Sequence, residues 1–371
     1  MSARPRVLFD YRMHAWSGVG RYSSNLARAL LALEASVTVS FLAAREDMPL
    51  LDEDIRQRSY STDLNPFSPG NVFFKPENVV DESDVPVQLL HVPHFPAPLT
   101  TRIPLVVTLH DLMPLKYPIM SSTRRVAYYS WNRLVCRKAR KIIAVSKFTA
   151  ADIMRYCKVT ADRIEVIYEA PDDCFAALSR EGSTHQPVVG DKPYFLAFAN
   201  WRFHKGLDVL LKAASVSGGK EFSIYLVGEP PKPGQVDGKL AHQISQLLTS
   251  GAICFLGKLS DQELCEYYRG AIAFVHPSRE EGFGLPPLEA MSCGRAVIAS
   301  DIPVSKEVLG DAALYYPVED FRTLATLLEK VALDGALRGE FEARSREHVK
   351  QFSWRRAAEE TLKVYLDALK G

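Results

Sequence analysis

The chain has no excess of charge of either sign: 45 Lys and Arg stand against 44 Asp and Glu, a formal net charge of +1. That balance argues against a dedicated nucleic-acid binder, which needs a surplus of basic groups against phosphate. Cysteine is sparse, at positions 136, 157, 174, 254, 265 and 293 with no C-x-x-C pair. Such scatter argues against a disulfide framework and a zinc cage, and fits a reducing compartment. Long apolar runs are missing too, so no stretch reaches the length of a membrane span. The opening "MSARPRVLFDYRMHAWSG" has no signal-peptide hydrophobic region, and a cytoplasmic protein is expected.

What is present describes a soluble α/β protein. At 371 residues, with 47% hydrophobic and 24% charged residues, the chain is too long for one ordinary core, and two domains are expected. Short β-rich runs alternate with amphipathic stretches. "RVLFD" (6–10) reads as a strand, followed by a glycine loop and a helix over "RYSSNLARALLALE" (21–34), with Leu26, Ala29, Leu30 and Leu33 at helical spacing. "PLVVTLHD" (104–111), "KIIAVS" (141–146) and "IEVIYEAP" (164–171) read as buried strands. Apolar periodicity then fails in "SREGSTHQPVVGDKP" (179–193). This divides the chain into a first domain at 1–180, a linker at 181–192 and a second domain at 193–351. A final helix, with Ser353 as N-cap and Ala357, Thr361, Leu362, Tyr365 and Leu369 as its apolar stripe, is expected to pack back, over 352–371, on the first domain. Two doubly wound domains facing across a cleft would bind ligands at the carboxyl ends of their strands.

The most informative stretch is "REEGFGLPPLEAMSCGRAVIASD" (279–301). It leaves the strand "AIAFVHPS", and Pro286, Pro287 and Gly294 bracket a helix at about 286–293. A helix start attracts anions, and Gly282 and Gly284 let backbone approach a ligand. Glu281 at the loop edge and Glu289 in the first helical turns suit opposite ends of one extended ligand, with phosphate between them. A sugar nucleotide has that layout. Glu280 does not fit the spacing and is expected to be solvated.

These residues resemble the E-x(7)-E signature of the family-4 retaining glycosyltransferases, which have the GT-B fold. The resemblance runs through nearly the whole chain, in "SGVGRY" (17–22), "HD" (110–111), "IIAVSKFT" (142–149), "HKGLDVLL" (204–211), "LVGE" (226–229), "FLGKLSDQEL" (255–264) and "FSW" (352–354). Bacterial enzymes of O-antigen and exopolysaccharide synthesis, many of them mannosyltransferases, look most similar. The resemblance implies that Glu281 bonds the transferred sugar, with the backbone of Gly282, Phe283, Gly284 and Leu285 touching sugar and phosphate, and that Glu289 holds the ribose. It makes Lys205 a diphosphate ligand and His110 a donor-sugar contact beside Asp111. Gly18 and Gly20 become a close-approach loop, with Arg21 either reaching phosphate or starting its helix. Gly257, Lys258 and Leu259 would meet the base through main chain. Arg202, three residues before Lys205, is an open candidate for a second phosphate clamp.

The resemblance further implies no divalent metal and no other cofactor. No D-x-D motif stands at a strand end where one is usual, and His91 and His94 have no metal-like partners. No carboxylate stands out as a nucleophile, which favours front-face displacement over a covalent intermediate. The expected partners are a nucleoside-diphosphate sugar and a glycan or polyprenyl-linked acceptor, with no nucleic acid. Residues 122–141 hold seven basic residues and no acidic one. On a helix, Arg133, Arg137 and Arg140 would share one face, opposite Tyr128, Trp131, Val135 and Ala139. That face is either ordinary solvated surface or a contact for anionic lipid at the inner face of the membrane. A GT-B nucleotide-sugar epimerase and a noncatalytic binding subunit are the rival readings.

Overall fold

The computed structural model describes residues 4–33, 36–80, 86–117, 120–180, 192–217 and 221–370. Two compact units divide the chain, Met1–Ala170 with Ser353–Gly371, and Pro171–Phe352. The boundary therefore falls before the expected 180. Helix Asp173–Arg180 carries Phe175, fully buried and packed edge-on to Tyr268 at 6.0 Å, so burial ties it to the second unit. The expected linker lies, save for Lys192, outside the described residues.

The first unit is a seven-stranded parallel sheet built from β1 (Arg6–Asp10), β2 (Thr38–Ala44), β3 (Ser59–Thr62), β4 (Val87–Val92), β5 (Leu105–Leu109), β6 (Lys141–Ala144) and β7 (Ile164–Val166). Its order is β3-β2-β1-β4-β5-β6-β7. Near-continuous apolar strands such as "VLF" and "LVVTL" are what a parallel sheet covered on both faces requires. Leu8, Leu90, Val107 and Ile142 lie in one such core. Helix Trp354–Lys370 counts with this unit, capped by Ser353 Oγ accepting from the Arg356 amide at 3.2 Å. Its buried stripe is Trp354, Ala357, Ala358, Thr361, Val364, Tyr365 and Ala368. Leu362 and Leu369, expected in that stripe, are only partly buried.

Two further expectations change here. "SGVGRY" is no loop: helix Ser17–Ala32 begins at Ser17, so Gly18 and Gly20 stand in its first turn and Arg21 follows. Gly20 is needed for space, since a Cβ there would lie 2.2 Å from the His14 carbonyl oxygen. The basic segment forms helix Ser122–Lys138, and Tyr128, Trp131, Val135 and Ala139 do face the core. The basic face is not continuous, however. Arg133 donates to the Tyr129 hydroxyl at 3.1 Å, and Arg140, beyond the helix end, donates to the Ala368 carbonyl at 2.7 Å. Arg124, Arg125 and Arg137 are exposed.

The second unit holds β8 (Tyr194–Phe198), β9 (Ser223–Val227), β10 (Ile253–Gly257), β11 (Ala273–His276), β12 (Ala296–Ser300) and β13 (Leu314–Tyr316), in the order β10-β9-β8-β11-β12-β13. All named strand pairs are parallel. The chain runs outward from β8 in one direction and from β11 in the other, so β8 and β11 flank the point where connectivity reverses. Loops leaving such a pair diverge to opposite faces and open a crevice at the carboxyl ends. Among the described residues, no helix is long and apolar enough to cross a membrane.

Candidate active site

The loop leaving β8 carries Lys205, and the loop leaving β11 carries Glu281. Adjacent strands bring together two residues 76 positions apart. Lys205 Nζ donates to both carboxylate oxygens of Glu281, at 2.8 and 2.9 Å. Ser278 Oγ donates to Glu281 Oε1 at 2.6 Å, and His276 Nε2 lies 3.4 Å from the same oxygen. Burial would raise the Glu281 pKa, but the Lys205 charge, His276 and the hydrogen bonds of Lys205 and Ser278 bring it down to about 2. His276 is pushed down to about 4 by burial and stays neutral at pH 7. The pair leaves Lys205 partly open, its side chain 27% exposed against 9% for Glu281.

Contact between the two loops is tight at Gly206. Its φ is +62°, and a Cβ would stand 1.9 Å from the Pro277 carbonyl oxygen. Both demands select glycine. Helix Leu285–Ser292 starts directly after the Glu281 loop, with Gly284 as N-cap. The cap and the first three helical residues have no intrahelical acceptor for their N–H groups, and Pro286 and Pro287 have none to donate. An anion there would meet the amides of Gly284 and Leu285 and the helix dipole.

The remaining expected residues spread around this centre. Glu289 sits in the helix, 3% exposed, with the Tyr268 hydroxyl 3.3 Å from its Oε2. Phe283 packs edge-on to Phe352 at 6.1 Å, and Leu285 is buried. Gly282 is buried beside them. Glu280 is not solvated as expected but only 8% exposed, because it lies in a loop buried at Ser278, Glu281, Gly282 and Phe283 as well. Arg202 is exposed at the head of the turn Phe203–Lys205. Gly257 lies at the end of β10, two strands from β8, and exchanges both main-chain hydrogen bonds with Gly228 at 2.8 and 3.2 Å. Lys258 is exposed and Leu259 half-buried.

In the first unit, His110 follows β5. Its Nδ1 lies 2.9 Å from Glu169 Oε1, and its Nε2 lies 3.0 Å from the Pro93 carbonyl oxygen. With acceptors at both ring nitrogens, the imidazolium satisfies both contacts. Burial works against that charge, but Glu169 and the Pro93 carbonyl outweigh it and raise the pKa. Tyr22 meets the ring edge-on at 4.7 Å, and Thr149 donates to the His110 carbonyl at 3.2 Å. Asp111 accepts from the Met113 amide at 3.0 Å. His91 is neutral in the core, held by Tyr365 at 2.6 Å and Thr108 at 2.8 Å.

Sequence reasoning missed Glu169, His276, Ser278 and Tyr268. His276 had one signal, a polar side chain ending a buried strand, whereas Glu169 lies three residues beyond β7, which is half-buried to exposed rather than the buried strand expected. Tyr268 had none, since a tyrosine in a helix reads as core.

The profile described as Glycosyltransferase Family 4 matches residues 16–173, and that of Glycosyl transferases group 1 matches residues 181–348. The serotype-specific mannosyltransferase WbdA of Escherichia coli is 29% identical over 263 residues, covering 68% of this chain and 32% of that protein. The chain thus spans about a third of that relative's length. The O-antigen chain mannosyltransferase B of Escherichia coli is 29% identical over 270 residues, covering 70% of this chain and 69% of that protein. A glycosyltransferase structure from Rickettsia africae superposes with a TM-score of 0.76 at 20% identity, covering 99% of each chain. Two parallel-sheet units, the paired glutamate motif and both profiles agree: the chain belongs to the family-4 glycosyltransferases of GT-B fold.

Proposed function

We propose that the protein is a retaining glycosyltransferase that moves a hexose from a nucleoside-diphosphate sugar to a hydroxyl of a glycan or lipid-linked glycan in bacterial surface polysaccharide synthesis. The observation that carries this reading is the Lys205–Glu281 pair at the reversal point of the second sheet, beside the start of helix Leu285–Ser292. A diphosphate at that start meets the dipole and the Lys205 ammonium, a compact charge suited to a leaving phosphate. Donor binding draws Lys205 toward phosphate and leaves the Glu281 carboxylate to accept from sugar hydroxyls. Glu289 holds the ribose, its approach set by Tyr268. His110 acts on the donor sugar, with its charge maintained by Glu169. The leaving phosphate assists front-face attack, and no divalent metal takes part.

Mannose is the first donor sugar to try, because WbdA and the O-antigen chain mannosyltransferase B are both named mannosyltransferases. Peripheral contact with anionic lipid through Arg124, Arg125 and Arg137 belongs to the same reading.

Calorimetry with GDP, UDP and ADP tests it, using Glu289→Gln and Glu281→Gln. Charge-assisted bonds are worth ~1.5–3 kcal/mol each and Gln keeps part of that, so Glu289→Gln weakens the free nucleotide. Glu281→Gln leaves that affinity nearly unchanged and lowers turnover, since its partner is the hexose. A larger affinity loss at Glu281 means the donor lies the other way round. Donor incubated without acceptor separates the rivals: slow hydrolysis for a transferase, epimer for an isomerase, no change for a binding subunit.

A further inference from the structure

We propose that Arg279 is a positioning residue for Lys205: it ties the turn that carries the lysine to the loop that carries Glu281, and so sets where the ammonium meets a diphosphate. The proposal rests on the donor-site reading above. Arg279 lies two residues before Glu281, yet its side chain turns away from the carboxylate and is only 7% exposed. Apart from Glu319, the groups it meets belong to the Lys205 turn or to the helix that follows it. Nη1 donates to the Phe203 carbonyl at 2.6 Å, two residues before Lys205, and the guanidinium lies over the Phe203 ring at 4.3 Å. Nη1 also lies 2.8 Å from Asp208 Oδ1, and Nη2 donates to Asp208 Oδ2 at 3.0 Å, in the first turn of helix Leu207–Ser217. On its outer side Nη2 donates to Glu319 Oε2 at 2.9 Å, and Nε donates to Glu319 Oε1. The Arg279 amide donates to the His204 carbonyl at 2.7 Å.

One planar fork therefore holds both ends of the segment 203–208, with Lys205 between them. A lysine ammonium sits on four rotatable bonds, and its mean position follows from the backbone beneath it. The short turn Phe203–Lys205 has little regular structure of its own. Besides Arg279, the two loops meet where Gly206 packs on Pro277 and through the Lys205–Glu281 pair itself. A lysine at 279 keeps a charge for Asp208 and Glu319, but cannot bridge them and the Phe203 carbonyl at once.

The test is a double-mutant cycle read by calorimetry, using whichever of GDP, UDP and ADP binds the unaltered protein most tightly. Lys205→Ala, Arg279→Ala and the double variant are compared, with thermal melting as a check on folding. Arg279→Ala is expected to weaken binding about tenfold, a loss of ~1.4 kcal/mol. The double variant is expected to bind no more weakly than Lys205→Ala alone, because the arginine acts through the lysine. Additive losses, or normal binding by Arg279→Ala, overturn the proposal. Should Arg279→Ala fail to fold, Arg279→Lys takes its place with an intermediate loss, and wild-type binding by that variant overturns the proposal equally. Normal binding by Lys205→Ala instead overturns the donor-site reading, and this inference with it.

Discussion

The two units place a charge pair at the same point of the same plan, where the strand order turns, and use it differently. In the first, Asp10 ends β1 and Arg12 follows two residues later. Arg12 Nε and Nη2 donate to Asp10 Oδ1 and Oδ2 at 2.8 and 2.6 Å. Further bonds run to the Leu64 carbonyl at 3.0 Å and Asn71 Oδ1 at 3.1 Å. The side chains are 0% and 1% exposed. In the second unit, Lys205 and Glu281 come from separate loops, and the lysine keeps an open side. A pair held in the interior, with four of its five guanidinium N–H groups already bonded, is closed to a ligand. A pair with one partner at the surface can exchange that partner. The first is an anchor for its loops, and the second suits a binding site.

Breaking the anchor should have the largest effect. Asp10→Ala leaves the Arg12 guanidinium buried without its counter-charge, at a cost of ~3–5 kcal/mol. Urea unfolding of the purified variant measures this, and an unchanged midpoint would erase the distinction between the pairs. Burial would raise the Asp10 pKa, yet the Arg12 charge and hydrogen bond, aided by His94, hold it well below the usual carboxylate range. Its contribution is therefore present above about pH 4 and declines as acid protonates the folded state.

Lys205→Ala should act on function more than on folding. Losing a charge contact to phosphate costs ~2–5 kcal/mol in the transition state, roughly 30-fold or more in turnover. Glu281 keeps Ser278, so the fold should persist at neutral pH. Its folded pKa of about 2 contributes stability above about pH 4.3, lost as pH falls toward 2. Without Lys205 the folded pKa rises toward the unfolded value, so this acid-dependent loss shrinks. Steady-state kinetics and acid unfolding check the two halves, and wild-type turnover would make Lys205 another anchor.

The smallest effect sharpens the contrast within the first unit. Glu169→Gln keeps a hydrogen bond to His110 but removes the charge, a difference of about 1 kcal/mol. The raised pKa of His110 stabilises the fold below its unfolded value near 6.5, and the gain disappears as pH rises through the folded pKa. The variant should thus be weaker at pH 5 and equal to the parent at high pH. The imidazole titration followed by NMR should move down. A midpoint that stays put would mean Glu169 does not hold the charge.

Much of the fold was legible because it is written locally. "PYFLAF" and "AIAFVH" announce buried strands by composition, and Pro286, Pro287 and Gly294 bracket helix Leu285–Ser292 to within a residue or so. The glycine pair in "SGVGRY" misled for a physical reason. Glycine weakens a helix but does not forbid one, and Gly20 is there because the turn before it passes too close for a Cβ. Glu280 misled likewise, since whether a loop folds inward depends on what lies beneath it.

By itself the sequence determined the alternation of strands and helices, the break between two domains and the spacing of Glu281 and Glu289. Each follows from periodicity, caps and turn residues within a few positions of one another. Only the tertiary structure decided that Lys205 meets Glu281 and that His110 meets Glu169, pairs 76 and 59 residues apart. It also moved the unit boundary to Ala170 and buried Asp10 with Arg12. These depend on which strands lie side by side. Strand order is settled by packing over the whole sheet, which a local pattern of apolar residues does not encode.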